Sequence, residues 1–372
     1  MNANHIDEMM MRHALTLAQR GLGHTWPNPS VGAVIWQMQN DEPVIVGRGY
    51  TQKGGRPHAE TEALAMAGGA ARGASIAVSL EPCAHHGKTP PCAEALVKAG
   101  IAHVVTALED PDPRVSGEGH RILRDAGISV TTDVLKTEAE RVNQGFLLRV
   151  REQRPFITLK LAQTADGFAG ADGKPLMISC AMSKHRVHLA RASHDAIMVG
   201  VGTVIADDPD LTCRLHGMMH LSPIRIIIDT HLDTPPSARV IETAAKVPTW
   251  ILTADDAPLD RETNLTREGV HIIRVQKDQK GHVDIKAAMR KLAEIGITRI
   301  FSEGGPTLAE ALVVHHLVDC VEIITSPEAL GRAGTVALRP GLKSALADRK
   351  LFVSTPPHLV GRDHVQYFER VR

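Results

Sequence analysis

The chain has 372 residues, 42 Lys+Arg against 42 Asp+Glu for a net charge of +0, 43% hydrophobic residues and 3% aromatic ones. That length exceeds the roughly 250–300 residues over which a single core grows, so two domains are expected, and the balanced charge argues against a surface built for nucleic acid. No apolar run approaches the roughly 18–20 residues of a membrane helix, the opening MNANHIDEMMMRHALTLAQRG lacks the basic and continuous apolar regions of a signal peptide, and five scattered cysteines make a poor disulfide framework; a cytoplasmic protein with no membrane partner is expected.

Ile6, Met9, Met10, Leu17 and Ala18 fall near one helical face, with Gly21 as a stop, so the methionine run reads as a helix core face. PNPSVGAVIW is a turn feeding a strand, followed by a hairpin through 37–43. Helical patterns at 59–68, 92–99 and 117–126 alternate with short apolar strands at 76–80, 103–107 and 128–130, which predicts helices packed on a sheet. A helix around 137–149 runs into REQRP, where proline and charge end regular structure. The expected domains are therefore 1–150 and 151–372. Beyond the boundary β/α alternation resumes from FITLKLA through DAIMVG, IRIIID, TWILT, HIIRV, a helix near 284–295, RIFSEGG, another helix and VEIIT, a pattern in which parallel strands dominate. Stretches rich in proline and aspartate near 207–223 and 254–264 read as loops.

The strongest chemistry lies in His58-Ala59-Glu60, Pro82-Cys83 and Cys92. One imidazole and two thiolates suit Zn²⁺ and leave a fourth position for water, the pattern of a catalytic site, with Glu60 as a proton shuttle and not a ligand. A closed structural knot would need a fourth protein ligand; His85 and His86 lie between the cysteines, yet such a site would leave Glu60 no water to act on. The signature is shared with deaminases of nucleic acid bases, a reading disfavoured by the neutral charge and the 3% aromatic content. The cysteines are separated by AHHGKTPP, in place of the two residues of the general deaminase signature. PCAHHGKTPPC after HAE, together with PNPSVG, RPHAE, SLEPC and EDPDPRVSG, resembles the bifunctional riboflavin-biosynthesis family that joins diaminohydroxyphosphoribosylaminopyrimidine deaminase to 5-amino-6-(5-phosphoribosylamino)uracil reductase. The resemblance implies an α/β protein with a cytidine-deaminase-like three-layer domain followed by a dihydrofolate-reductase-like domain. It implies zinc on His58, Cys83 and Cys92, proton relay by Glu60, and a phosphoribosyl-pyrimidine substrate facing Asn28, Lys88 and Asp110. Thr51 stands where the family usually has histidine.

In the second half no G-x-G-x-x-G opens a βαβ unit, so a Rossmann domain is not indicated. Two glycine-bearing turns stand out, Val199–Thr203 and Glu303-Gly304-Gly305-Pro306-Thr307. The second has the makings of a diphosphate site at a helix N-terminus, although the same residues also make an ordinary helix start. Lys160-Leu161-Ala162, Asp166-Gly167, GTVIADDPDLTCR at 202–214 and EGGPTLA at 303–309 are similar to the reductase half of the same family. The resemblance implies NADPH touching Ala162, Met177, Thr203, Asp207, Thr230, Gly305, Pro306 and Thr307. It implies substrate on Arg191, Leu211, Arg214 and Glu303, arginine being suited to phosphate by its planar fork. It also implies a homodimer or higher homo-oligomer formed through the reductase domain. Pro175 and Met177 replace the serine and tryptophan of the family's usual GxSxWIT, which keeps open a monofunctional deaminase whose second half only binds nucleotide or dimerises. Cys180, Cys213 and Cys320 lack a CxxC partner and read as buried or loop residues.

Overall fold

The computed structural model describes residues 3–86, 90–112, 116–171 and 176–372. It divides into two units, Met1–Gln153 and Arg154–Arg372. Among the described residues no helix is long and apolar enough to cross a membrane.

The first unit runs α1 (Ala3–Ala18), β1 (Gly32–Gln39), β2 (Glu42–Tyr50), α2 (Ala59–Ala67), β3 (Ser75–Val78), α3 (Cys92–Ala99), β4 (His103–Thr106), α4 (Glu118–Asp125), β5 (Ser129–Thr131) and α5 (Lys136–Glu152). Its sheet has the order β2-β1-β3-β4-β5, with β1 antiparallel to β2 and β3, and β3, β4 and β5 parallel. The β1–β2 hairpin turns on Asn40 and Asp41, both with positive φ (51 and 62), the paired left-handed residues that match strand twist in a two-residue turn. Met10 and Met11 of α1 are buried with Ile35, Ile76, Leu96 and Leu123, so the methionines do pack as core. Gly21 ends a single 3-10 turn that follows α1, and the left-handed glycine is Gly23 (φ 82), two residues later than expected.

The second unit runs β6 (Phe156–Gln163), β7 (Phe168–Gly170), α6 (Ala181–Ala192), β8 (Ala196–Gly200), α7 (Val201–Asp207), β9 (Ile224–Ile228), α8 (Arg239–Glu242), β10 (Thr249–Ala254), α9 (Leu259–Leu265), β11 (Val270–Val275), α10 (Ile285–Ile295), β12 (Arg299–Ser302), α11 (Pro306–Val314), β13 (Cys320–Thr325), β14 (Thr335–Val336), α12 (Pro340–Ala347), β15 (Phe352–Ser354), β16 (His358–Val360) and β17 (Asp363–Arg370). The main sheet has the order β11-β10-β9-β8-β12-β6-β13-β17-β15, with β16 also on β17. From β11 to β13 every pairing is parallel, as the β/α alternation predicts; β17 then runs antiparallel to β13, β15 and β16. The expected loop at 254–264 is corrected: Leu259–Leu265 is a helix with Pro258 at its N-cap, and its Leu265 is 1% exposed in the core. Two buried aspartates tie the N-terminal ends of the parallel strands. Asp195 accepts from the Thr298 amide and hydroxyl (2.7 Å each) and the Arg299 amide (2.9 Å). Asp319 accepts from both terminal nitrogens of Arg154 (2.8 Å each) and from the Ile157 amide (2.9 Å).

Candidate active sites

Both sites lie where parallel strands give way to loops and helix starts. In the first unit His58 is the N-cap of α2, and Pro91 caps α3 so that Cys92 is its first residue. Cys83, on the segment after β3, receives the Cys92 amide on its sulfur at 3.3 Å. His58 and Cys92 thus sit at helix N-termini, and the start of α3 also reaches the Cys83 sulfur through the Cys92 amide, a setting in which the backbone favours anionic sulfur. His58 Nδ1 lies 3.3 Å from Cys92 Sγ and 3.6 Å from Cys83 Sγ, and the three atoms fall within 4.8 Å of one another. Nitrogen and sulfur ligands of a tetrahedral zinc stand about 3.6 Å apart, given bonds of about 2.0–2.1 and 2.3 Å, so this donor set fits the ion. The electrostatics agree. Hydrogen bonding from Cys92 and His58 draws the Cys83 thiol down to about 4, while the proton shared with Cys83, and burial, push Cys92 upward; a divalent cation is the group that would let both be thiolates.

Glu60, 3% exposed, lies on the first turn of α2, its carboxyl raised to about 7 by burial and by the neighbouring Cys83. His58, Glu60 and Cys83 open into a cavity of about 560 Å³ that Asn28 and Asp110 also line, within the size range of small-molecule sites. Lys88 lies outside the described residues. Thr51 borders the cavity, but its hydroxyl is turned inward, accepting from the Val31 amide at 3.0 Å. Arg56, Phe146 and Arg149 line the same space and were not anticipated. Phe146 and Arg149 are three apart on α5 and so share a face, a signal that was available in the pattern.

In the second unit a cavity of about 710 Å³ opens at the C-terminal ends of β6, β8 and β12. It gathers Ala162, Met177, Thr203, Asp207, Gly305, Pro306 and Thr307, and with them Arg191, Leu211, Arg214 and Glu303. Glu303 is the electrostatic centre. Arg191 Nε donates to it at 2.6 Å and Lys160 Nζ stands 3.8 Å away, so that although burial would raise its carboxyl, these two cations hold it at about 2. Arg191 also donates to the Thr212 carbonyl at 2.8 Å, and the Arg214 amide donates to His188 Nδ1 at 3.3 Å. Lys160 and His188 line the cavity, though neither was assigned a role. The signal for Lys160 was a lone charge inside the apolar strand FITLKLA, and for His188 its place three residues before Arg191 on α6.

Gly305 caps α11 with Pro306 as the first helical residue. A Cβ on Gly305 would stand 3.6 Å from the Thr203 hydroxyl across the cavity, so the bare backbone leaves a cradle beside a helix N-terminus. These residues fit a dinucleotide phosphate. One expected contact is not brought there: Thr230 is absent from the lining, its hydroxyl accepting from the Val283 amide at 3.2 Å and its carbonyl from Ala254 at 3.2 Å. The turn after β9 therefore uses Thr230 to join neighbouring segments. Met177 is on the rim, 75% exposed, and Pro175 lies outside the described residues.

Residues 4–108 match the family described as the cytidine and deoxycytidylate deaminase zinc-binding region, and residues 155–356 match the RibD C-terminal domain. The riboflavin biosynthesis protein RibD of Escherichia coli (strain K12) is 41% identical over 370 residues, covering 96% of this chain and 97% of that protein. RibD of Aquifex aeolicus (strain VF5) is 38% identical over 369 residues, 98% and 99% of the two chains. Among solved structures, Acinetobacter baumannii RibD superposes with a TM-score of 0.85 at 32% identity over 99% of this chain and 100% of that one. The diaminohydroxyphosphoribosylaminopyrimidine deaminase/5-amino-6-(5-phosphoribosylamino)uracil reductase of Thermotoga maritima does so at 0.83 and 30% identity over 100% of each. Two sites of different chemistry on one chain, each matched by the family for its own half and both matched together by full-length relatives, mean that this chain belongs to the RibD family of bifunctional riboflavin-biosynthesis enzymes, zinc-dependent deaminase and NADPH-dependent reductase in one polypeptide.

Proposed function

We propose that residues 1–150 deaminate 2,5-diamino-6-(5-phosphoribosylamino)pyrimidin-4-one and that residues 151–372 then reduce the ribosyl group of the product to a ribityl chain. The convergence of His58, Cys83 and Cys92 beside a buried Glu60 at a cavity carries the first assignment. Zinc supplies an activated water and NADPH supplies the reducing equivalents. The residues do the rest. His58, Cys83 and Cys92 hold the metal; Glu60 takes up a proton at its carboxylate and returns it to the departing amine. Asn28 and Asp110 orient the pyrimidine from the cavity wall, with Lys88 assigned to the phosphate by the motif alone. In the second unit Gly305, Pro306 and Thr307 with Thr203 receive the cofactor phosphates, Ala162, Asp207 and Met177 border the rest of it, and the role given to Thr230 by resemblance lacks support from its surroundings. Arg191 and Arg214 take the substrate phosphate, with Leu211 and Glu303 beside them.

Glu60→Ala tests the division of labour. The expected outcome is retained zinc and retained NADPH oxidation with deamination lowered about 10²–10⁴-fold; unchanged deamination would remove Glu60 from the mechanism. A homodimer or higher oligomer through the second unit is supported by the family resemblance, and light scattering of the full chain checks it. Five free cysteines suit a reducing, cytoplasmic setting.

A further inference from the structure

Glu81 follows β3 and directly precedes the Pro82-Cys83 pair; it lines the first cavity, yet its side chain is 1% exposed. All its capacity goes to another segment. Oε2 accepts from the amides of Asp110 and Gly117 at 3.0 Å each, and Oε1 from those of Gly119 at 2.8 Å and His120 at 3.2 Å. Four N–H donors use up what a carboxylate can accept, and bonds to an ionised acceptor are the strong kind. The Gly119 and His120 amides belong to the first turn of α4, which a helix leaves unsatisfied. From 38 and 39 residues away Glu81 does what an N-cap does locally.

A cap would need only the α4 donors. The Asp110 amide is not one of them. It lies at the other end of the segment that joins β4 to α4, and its own carboxyl lines the cavity, with Oδ1 accepting from the Asp112 amide at 2.9 Å. Asp110 is therefore fixed twice, through its backbone by Glu81 and through its side chain by a local turn. The clamp is also seated against the ligand-bearing segment: a Cβ on Gly119 would meet the Pro82 carbonyl at 2.0 Å and Glu81 Oε1 at 3.1 Å, so only glycine lets the two segments lie this close.

We propose that Glu81 is a positioning residue for deamination, acting through Asp110 to set how far the substrate-facing wall stands from the His58, Cys83 and Cys92 cluster. This rests on the reading of Asp110 as a substrate contact. Glu81 lines the same cavity, but its carboxylate is 1% exposed and bonded at both ends of the segment that joins β4 to α4, at Asp110 and at Gly117, so substrate alignment depends on a side chain whose oxygens are committed to backbone amides. Displacing Asp110 weakens a contact that substrate and transition state make alike, so the loss falls on KM rather than on kcat.

The test uses the full chain loaded with zinc, with Glu81→Gln, Asp110→Asn and the double variant assayed for both half-reactions and for metal content. For E81Q the expected result is zinc at the wild-type level, unchanged NADPH oxidation, and a KM for deamination raised about tenfold with kcat within about threefold. The double variant should raise KM no further than D110N alone, since the two act as one unit. Multiplying effects on KM, or loss of zinc from E81Q, would overturn the proposal. An unaltered KM in D110N would instead remove the substrate role of Asp110, and the proposal with it. Should E81Q not fold, Glu81→Asp, which keeps the charge but withdraws the oxygens, is held to the same KM-against-kcat criterion; if neither folds, Glu81 is a fold determinant and the positioning role is refuted.

Discussion

The two halves of this enzyme solve the same placement problem with opposite means. Each puts its chemistry beyond the ends of strands, but the first concentrates it in three atoms within 4.8 Å, whereas the second spreads it around a cavity of about 710 Å³ where Gly304 and Gly305 leave bare backbone at the start of α11. A metal cluster depends on side-chain identity, because no other residue reproduces an imidazole or a thiolate at bonding distance. A dinucleotide cradle depends on the path of the main chain and on helix N-termini, and many side chains around it can change. In this chain His58, Cys83 and Cys92 are the residues that the resemblance implies, while Met177 stands where it leads one to expect tryptophan.

If that contrast is right, single substitutions should hurt the two halves very differently. The largest effect is expected from Cys92→Ser, which removes a soft ligand: zinc content measured by atomic absorption falls and deamination drops at least about 10³-fold, with NADPH oxidation intact. A reductase lost in parallel would show that the halves are not independent. Glu303→Gln comes next. It leaves Arg191 and Lys160 facing each other without their counter-charge, and breaking such a buried pair costs about 3–5 kcal/mol of stability, so the second unit should unfold at lower urea and reductase kcat/KM should fall while deamination holds.

A smaller effect is predicted for pH. His194 of the second unit is buried against Phe301, donates Nδ1–H to the Ala190 carbonyl at 2.7 Å and accepts from the Thr158 hydroxyl at 3.0 Å. Burial, and then the Arg299 cation, lower it from 6.5 to about 3. The unfolded chain takes up this proton first, so the contribution is fully present above about pH 6.5 and is lost as pH falls toward 3, at about 1.4 kcal/mol per pH unit. Urea unfolding of the second unit should show that slope, and His194→Gln should flatten it; an equal slope in both would assign the acid sensitivity elsewhere. The smallest change is expected for Met177→Trp, since the residue is 75% exposed: KM for NADPH should shift within about threefold and the melting temperature hardly at all. A large gain would mean that the second site depends on side-chain identity after all.

Much of this could be read from residue order, and what escaped did so for definite reasons. The starts of α2 and α3 were legible because His58 and Cys92 are bound to metal chemistry and helix entry at once. The parallel strands announced themselves as short apolar runs. Helix α9 did not, because DDAPLDRETN is rich in loop formers, and its order comes from distant partners: Leu265 in the core, Asp233 for Arg261 and Arg274 for Glu262. The antiparallel strands after β13 were missed since DHVQYFER alternates with charged residues and gains its order from pairing with β13. Lys160 escaped for the reverse reason, a charge in a strand whose partner, Glu303, lies 143 positions away. Thr51 shows the limit of motif reasoning: the replacement was visible, but only the bond to Val31 shows that its hydroxyl is committed to the backbone.

The aspartates at the other rim of the large sheet bear on how the second site works. Asp195 and Asp319 fasten β8, β12, β6 and β13 together at their N-terminal ends, opposite the cavity. With the strand spacing fixed from behind, an arriving dinucleotide meets walls that are preorganised and has only connecting loops left to order. Any ordering on binding should then fall on the segments that rim the cavity rather than on the sheet.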